Sequence, residues 1–346
     1  MQVTPVSVIT GFLGSGKTTL LSRLLRHPDM GRTAVVINEF GDVGLDHMLV
    51  ESSDENIVQL NSGCLCCTIR GDLVVTLLDL LDRRQRSAIM DFGRIVIETT
   101  GLADPAPILQ ALMTDRALAS AVTVDRVITT VDAANGAATL DRHGESVRQA
   151  AVADRIVITK TDLAGNHEAA LRERLFALNP AAPLLKAVQG DIAPGDLFDG
   201  HVFDADAKPA DVRAWLAAED TGHAHRHDVN RHGDDIAATS LIREEPVHAV
   251  ALTLFLEILA EHCGSDLLRM KGLVRLVEEP DRPMVVHGVQ NVFHPPVWLD
   301  RWPDADRRTR LVFIAKDLPG AWFENLLDAL DAEVAETQAR QQERKA

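Results

Sequence analysis

The run Gly11-Phe12-Leu13-Gly14-Ser15-Gly16-Lys17-Thr18 constrains this chain more than any other. It fits the pattern G-x-x-x-x-G-K-[ST], with the apolar stretch Val6 to Thr10 before it and the amphipathic stretch Thr18 to Arg26 after it. The pattern therefore stands in the strand–loop–helix context it needs. The glycines Gly11, Gly14 and Gly16, with Ser15 between them, let the backbone wrap phosphate oxygens, so that N–H groups and a helix N-terminus supply positive potential. Lys17 then neutralises β- and γ-phosphate charge, and the Thr18 hydroxyl is a ligand for Mg²⁺.

A loop of this kind needs a sheet behind it, and the first two hundred residues supply one. Val6 to Thr10, Thr33 to Ile37, Arg94 to Ile97, Asp125 to Val131 and Arg155 to Thr159 are rich in Val, Ile and Thr and read as buried strands. Thr18 to Arg26, Asp72 to Arg83, Pro105 to Leu112 and His167 to Leu178 read as helices between them. The expected fold class is α/β, with a mostly parallel sheet covered by helices. At 346 residues the chain is long enough for two domains. The pattern dissolves into polar residues from Asp204 to about Thr239. This predicts a nucleotide-binding domain over 1–205, a linker over 206–239 and a small α+β domain over 240–346. Candidate strands in the last part are His248 to Leu252, Val274 to Val277, Met284 to Val289 and Arg310 to Ile314, with a final helix opened by Pro319.

Two further motifs complete a nucleotide site. Arg94-Ile95-Val96-Ile97-Glu98 ends in a carboxylate that can hold the water shell of a metal. Gly101 follows, where a glycine lets the backbone meet a γ-phosphate. Thr159-Lys160-Thr161-Asp162 closes the Arg155 strand. Asp162 can accept from guanine N1–H and the exocyclic amine while the Lys160 stem lies along the ring, which favours GTP. Thr159 stands where Asn is usual and is shorter. The competing explanation is a helix N-cap at Thr161 or Asp162.

Three of the four cysteines, Cys64, Cys66 and Cys67, fall within four residues, too close for a disulfide framework. Cys64 and Cys66 share a side if the chain is extended there, and Cys67 joins them only through a turn, which Gly63 permits. Soft thiolates favour Zn²⁺ or Cu⁺ over Mg²⁺. Three sulfurs leave a tetrahedral shell incomplete, so a fourth ligand comes from Glu39, from water or from a receiving protein, and an open shell suits transfer. A redox dithiol or a chance group of buried cysteines are the alternatives. The fourth, Cys263, reads as a small buried apolar residue. His223, His225, His227 and His232 lie beside Asp228, Asp234 and Asp235, as either an accessory weak metal-collecting run or a solvated linker of biased composition.

Composition limits the partners. Lys+Arg 35 against Asp+Glu 51 gives a net charge of −16, which argues against nucleic acid and against an anionic membrane surface. The N-terminus lacks a basic n-region and no apolar run approaches a bilayer span, so a cytoplasmic location is expected.

Taken together, the sequence resembles the CobW family of P-loop GTPases, which includes zinc-regulated metallochaperones and nitrile hydratase activators. The resemblance rests on Gly11 to Thr19, Asn38-Glu39-Phe40-Gly41, Gly63-Cys64-Leu65-Cys66-Cys67, Glu98-Thr99-Thr100-Gly101-Leu102-Ala103-Asp104-Pro105 and Thr159-Lys160-Thr161-Asp162. It extends through Leu267-Leu268-Arg269-Met270-Lys271-Gly272, which looks like the family's C-terminal domain, with a His-rich linker before it. What it implies is slow GTP hydrolysis coupled to delivery of a metal to a client metalloprotein. Zn²⁺ is the expected cargo, Co²⁺ or Fe²⁺ belong to other branches, and the oligomeric state is expected to follow nucleotide or metal. By the same resemblance Cys64, Cys66 and Cys67 bind the metal with Glu39 as a supplementary ligand, and Thr19 joins the nucleotide site. The competing functions are a P-loop kinase and a nucleotide-regulated metal buffer. Leu102 stands where many signalling GTPases carry the glutamine that orients water, so no residue in the motif is assigned that task.

Overall fold

The computed structural model describes residues 3–38, 57–60, 66–165, 167–199, 236–264 and 266–343. The chain divides into two compact units, Met1–His201 and Val202–Ala346.

The first unit is built on seven strands, β1 (Thr4–Gly11), β2 (Thr33–Asn38), β3 (Ile57–Leu60), β4 (Arg94–Glu98), β5 (Val122–Asp132), β6 (Arg155–Thr159) and β7 (Leu184–Ala187). They lie in the order β3-β2-β4-β1-β5-β6-β7. Each neighbouring pair is parallel, so the expected mostly parallel sheet is parallel throughout. The strands read as near-continuous apolar runs because both faces are covered: Ile95, Val96 and Ile97 are all fully buried. Helices α1 (Lys17–Leu25), α2 (Cys66–Gln85), α3 (Ala106–Thr114), α4 (Arg116–Ala119), α5 (Gly136–Arg142), α6 (Gly144–Ala151), α7 (His167–Leu178) and α8 (Pro194–Phe198) connect them. The largest departure from expectation is α2, which begins at Cys66 rather than near Asp72. The chain at Cys66 and Cys67 is therefore helical and not extended. Cys64, Glu39 and the histidine run lie outside the described residues.

The second unit is a six-stranded sheet with antiparallel pairings, from β8 (Ile236–Arg243), β9 (Leu267–Val274), β10 (Met284–Val289), β11 (Val292–Phe293), β12 (Val297–Trp298) and β13 (Thr309–Lys316). Its order is β11-β10-β9-β13-β8, with β12 on β10. Helices Ala249–Ile258 and Gly320–Glu343 belong to the same unit. Their residues Phe255 and Phe323 are both fully buried in one apolar cluster with Phe313 of β13. The final helix begins at Gly320, as Pro319 predicts. Two other expectations need correction. His248 to Leu252 is not a strand: His248 is the N-cap and the next four residues open the helix, burying Ala251, Leu252 and Phe255. A short run of Val, Ala and Leu fits either period, and only the residues beyond it decide. The strand placed at Val274 to Val277 lies earlier, at Leu267–Val274, because Arg269 and Lys271 interrupt its apolar run although both are buried. β8 begins inside the stretch read as linker, since this edge strand carries small, half-exposed residues. Cys263 is buried in the same cluster. Burial pushes its thiol pKa up, with Asp266 adding to the effect, as suits an inert apolar position.

Asp331 ties this unit together. Its carboxylate accepts from Arg243 Nη2 at 2.6 Å, from the His248 N–H at 2.8 Å, and meets His248 Nδ1 at 2.7 Å. Burial raises its pKa, but the bonds from His248 and the charge of Arg243 outweigh that and hold it below the usual carboxylate range. Asp306, bonded by Arg308, is held down to about 2. A carboxylate with a depressed folded-state pKa stabilises the fold above its unfolded pKa and loses that contribution as pH falls through the folded value. Stability of the second unit should therefore lose the contribution of these carboxylates as pH falls from about 4 toward 2, after an earlier decline below about pH 6.5 set by buried His287, which stays neutral in the fold while the unfolded chain takes up a proton; urea denaturation across that range reads both. Asp331→Ala should cost about 2 kcal/mol at neutral pH, because it removes the carboxylate shared by His248 and partly buried Arg243 and leaves Arg243 with only exposed Asp328. A loss under about 0.5 kcal/mol would show that the contacts are incidental.

Candidate functional site

Every strand of the first sheet runs the same way, so the loops that follow them gather on one edge. The glycine-rich loop leaves β1 there. Gly11 has φ 140°, and a Cβ on it would sit 2.4 Å from Thr130 O, so no other residue fits between β1 and β5. Ser15 Oγ and Thr130 Oγ1 lie 2.6 Å apart, tying the loop to β5. Gly16 is the N-cap of α1 and supplies no side-chain cap. The first-turn N–H groups are then left for an anion. Lys17 is buried, with Nζ 2.8 Å from Gly11 O and 3.1 Å from Phe12 O, which holds its ammonium over the loop.

Glu98 ends β4 as expected and is buried. Its Oε1 accepts from Thr18 Oγ1 at 2.8 Å. A hydroxyl and a carboxylate in contact at the start of a phosphate-binding helix are hard oxygen donors of the kind Mg²⁺ takes. Beyond β4, Thr99 donates its N–H to Ile9 O at 2.9 Å and its hydroxyl to Thr10 Oγ1 at 2.8 Å, which carries the next residues alongside β1. Gly101 packs so closely that a Cβ would come within 2.6 Å of Leu13 N. The two motifs, about ninety residues apart in sequence, thus meet at backbone distance.

On the other side of β1 a pocket of about 710 Å³ opens between α1 and the loops after β6 and β7. Thr159, Lys160 and Asp162 line it, together with Thr18 and Thr19. Lys160 has φ 53°, and its Nζ reaches Gly14 O at 2.6 Å and Asp132 Oδ2 at 2.8 Å, so the stem bridges the loop and the end of β5. Thr159 is buried and donates to Ser15 O at 2.6 Å. The short side chain thus braces the phosphate loop. The helix-cap alternative is not realised: the 3₁₀ turn Thr161–Leu163 has Lys160 as its N-cap, with no side-chain capping bond.

Asp132 was not anticipated from the sequence. Burial raises its pKa, and bonds from Lys160, Asn135 and the Ala134 N–H more than offset this, keeping the carboxyl below its ordinary range and charged against Lys160. The signal was present, since Asp132 is an acid at the end of a parallel strand. Gln189 and Gly190 also line the pocket and were missed because β7 is short and half-exposed. Gly190 has φ 75°, and a Cβ on it would meet Thr19 O at 2.7 Å.

Residues 5–186 match the model described as CobW/HypB/UreG, nucleotide-binding domain, and residues 236–331 match the cobalamin synthesis protein cobW C-terminal domain. The chain belongs to the CobW/HypB/UreG family. The nucleotide-binding domain of this family is a P-loop GTPase, and the expected resemblance to CobW proteins holds over both units. The chain is 34% identical over 319 residues to the zinc chaperone YjiA of Escherichia coli, covering 92% of this chain and 96% of that one. It is 30% identical over 356 residues to the zinc chaperone CobW of Pseudomonas aeruginosa, covering 93% and 90%. The crystal structure of Zn(II)-bound YjiA GTPase from E. coli superposes with a TM-score of 0.71 at 30% identity, over 95% of this chain and 99% of that one. Among the described residues no three His, Cys, Asp or Glu side chains are grouped to hold a metal ion, and no helix is long and apolar enough to cross a membrane.

Proposed function

We propose that this GTPase is a metallochaperone that holds a transition metal, zinc in the first instance, at Cys64, Cys66 and Cys67 and passes it to a client metalloprotein. The observation that carries the reading is the register of the parallel sheet. Asn38 is level with Leu60, and Glu98 is level with both Ile37 and Ile9. The chain that leaves β2 leads to Glu39, the chain that leaves β3 leads through Cys64 to α2, and both depart from the edge that carries Lys17 and Glu98. With strands about 4.8 Å apart, the ends of β1 and β3 are separated by three steps, about 14 Å. A γ-phosphate and a metal-binding segment at that spacing can bias one another through the loops between them. The zinc chaperone names of the relatives point the same way.

For hydrolysis, Lys17 and the α1 N-terminus take the phosphate charge, Thr18 and Glu98 hold Mg²⁺, the Gly101 backbone meets the γ-phosphate, and Lys160 and Asp162 select guanine. When bound there, Mg²⁺ would neutralise phosphate charge. Thr159 keeps the phosphate loop in place for this. Gly14, Ser15, Gly16 and Thr19 complete the cradle. His223, His225 and His227 serve as weak accessory sites.

Linkage requires reciprocity: if GTP changes zinc affinity, zinc changes GTP affinity by the same factor. Calorimetric titration of zinc into the protein loaded with a non-hydrolysable GTP analogue or with GDP should give dissociation constants that differ by about fivefold or more. Equal constants in the two states would sink the coupling, and zinc bound by neither state would sink the chaperone reading.

A further inference from the structure

The motif after β4 carries no glutamine, yet a glutamine reaches it from elsewhere. Gln149, on α6, is fully buried. Its Nε2 donates to Ala103 O at 2.9 Å and to Gly101 O at 3.3 Å. Both partners are carbonyl oxygens, so the amide nitrogen must face them. Its Oε1 is buried and accepts no hydrogen bond among the described residues.

The helix that presents this side chain is fixed from several directions. Thr129 of β5 donates its hydroxyl to Gln149 O at 2.6 Å. Asn179, itself buried, closes the C-terminal end of α6 by donating to Ala150 O, Ala151 O and Ala153 O at 2.9 to 3.0 Å. At the other end His143, the N-cap of α6, stacks on Phe12 of the phosphate loop, with ring centroids 4.4 Å apart. Beside Gln149, Arg148 pairs with Asp104 at 3.6 Å, a second tie to the same segment. One short helix therefore touches the phosphate loop through His143 and the Gly101–Asp104 segment through Gln149 and Arg148.

We propose that Gln149 is a positioning residue for GTP hydrolysis: from α6 it holds the Gly101–Ala103 backbone against the phosphate loop and so sets where the γ-phosphate is met. It lies beneath the loop, away from solvent, and acts on the backbone rather than on the attacking water. The proposal rests on the reading of Gly101 as the γ-phosphate contact.

The test compares Gln149→Leu with the unsubstituted protein in steady-state phosphate release and in the ratio of affinities for a GTP analogue and for GDP. The expected result is a fall in kcat of about tenfold and loss of most of the GTP-analogue preference, with GDP affinity unchanged. A merely structural role would lower both affinities together. A folded Gln149→Leu with kcat and ratio within about twofold of the original overturns the proposal. If that variant does not fold, Gln149→Asn, which keeps the amide but is one methylene shorter, carries the test. The same ratio should fall by about threefold, and an unchanged ratio overturns the proposal. Gly101→Ala separates the two readings. If it keeps the ratio, the γ-phosphate assignment of Gly101 is wrong. If it loses the ratio while Gln149→Leu keeps it, only the role of Gln149 is wrong.

Discussion

Lys17→Ala should lower GTP turnover by about 10²- to 10³-fold, the scale on which a preorganised charge at a transition state is felt. Its ammonium is buried and held by the carbonyls of Gly11 and Phe12, so it is already in position and needs little rearrangement to receive a phosphate. The charge matters most where negative charge is redistributed, which makes the expected loss in kcat/KM larger than the loss in GDP affinity. Phosphate release over a series of GTP concentrations gives kcat and kcat/KM, a GDP titration gives the affinity, and a thermal melt without nucleotide reports the fold. Turnover within about threefold of the original would remove Lys17 from the mechanism. A melt lowered by many degrees would instead assign it to holding the loop. Lys17→Arg is a useful companion, because it keeps the charge but brings a broader head between Gly11 and Phe12.

The phosphate loop was legible because its chemistry is local: the spacing of glycines, one lysine and one threonine is written in consecutive residues, and the apolar strand before it is buried on both faces. Glu98 was legible for the same reason, as the acid at the end of Arg94-Ile95-Val96-Ile97. What sequence could not show was pairing across long separations. Gln149 looks like any polar residue in an amphipathic helix until its amide is found under Gly101, forty-eight positions away. Asp132 and Lys160 are both visible as residues, but their contact at 2.8 Å depends on β5 and β6 being neighbours. Thr159 reads from the sequence as a shortened base contact, whereas its hydroxyl donates to Ser15 O. In the second unit β9 was hidden because buried Arg269 and Lys271 broke the apolar alternation on which strand recognition relies. The helix at Ala249 was hidden for the opposite reason, since its first residues are apolar at every position and carry no period.

Replacing Cys66 and Cys67 together by Ala should weaken zinc binding by at least about 100-fold, since loss even of a residue behind a metal ligand costs up to that much. GDP affinity should stay as it was. The two cysteines open α2 next to β3, whereas the residues around the nucleotide come from β1, α1, β4 and β6, so separate elements carry the two functions. Competition against a zinc chelator measures the affinity. Co²⁺ used as a probe reports the ligands directly, because thiolate coordination adds a charge-transfer absorption that imidazole and carboxylate do not. That absorption should fall to at most about one third in the double variant, where only the Cys64 thiolate is left, and persist in Cys263→Ala, whose sulfur is buried in the core of the other unit. Replacing His223, His225 and His227 by Ala should change the stoichiometry at high metal concentration and leave the tight site alone. An undiminished zinc affinity in the double variant would move the metal off the Cys-x-Cys-Cys segment, and with it the reason for placing cargo and γ-phosphate on one edge of the sheet. Zinc lost together with GDP affinity would mean that the cysteines shape the nucleotide site, and that the coupling inferred from the register of β1, β4, β2 and β3 is instead a single shared site.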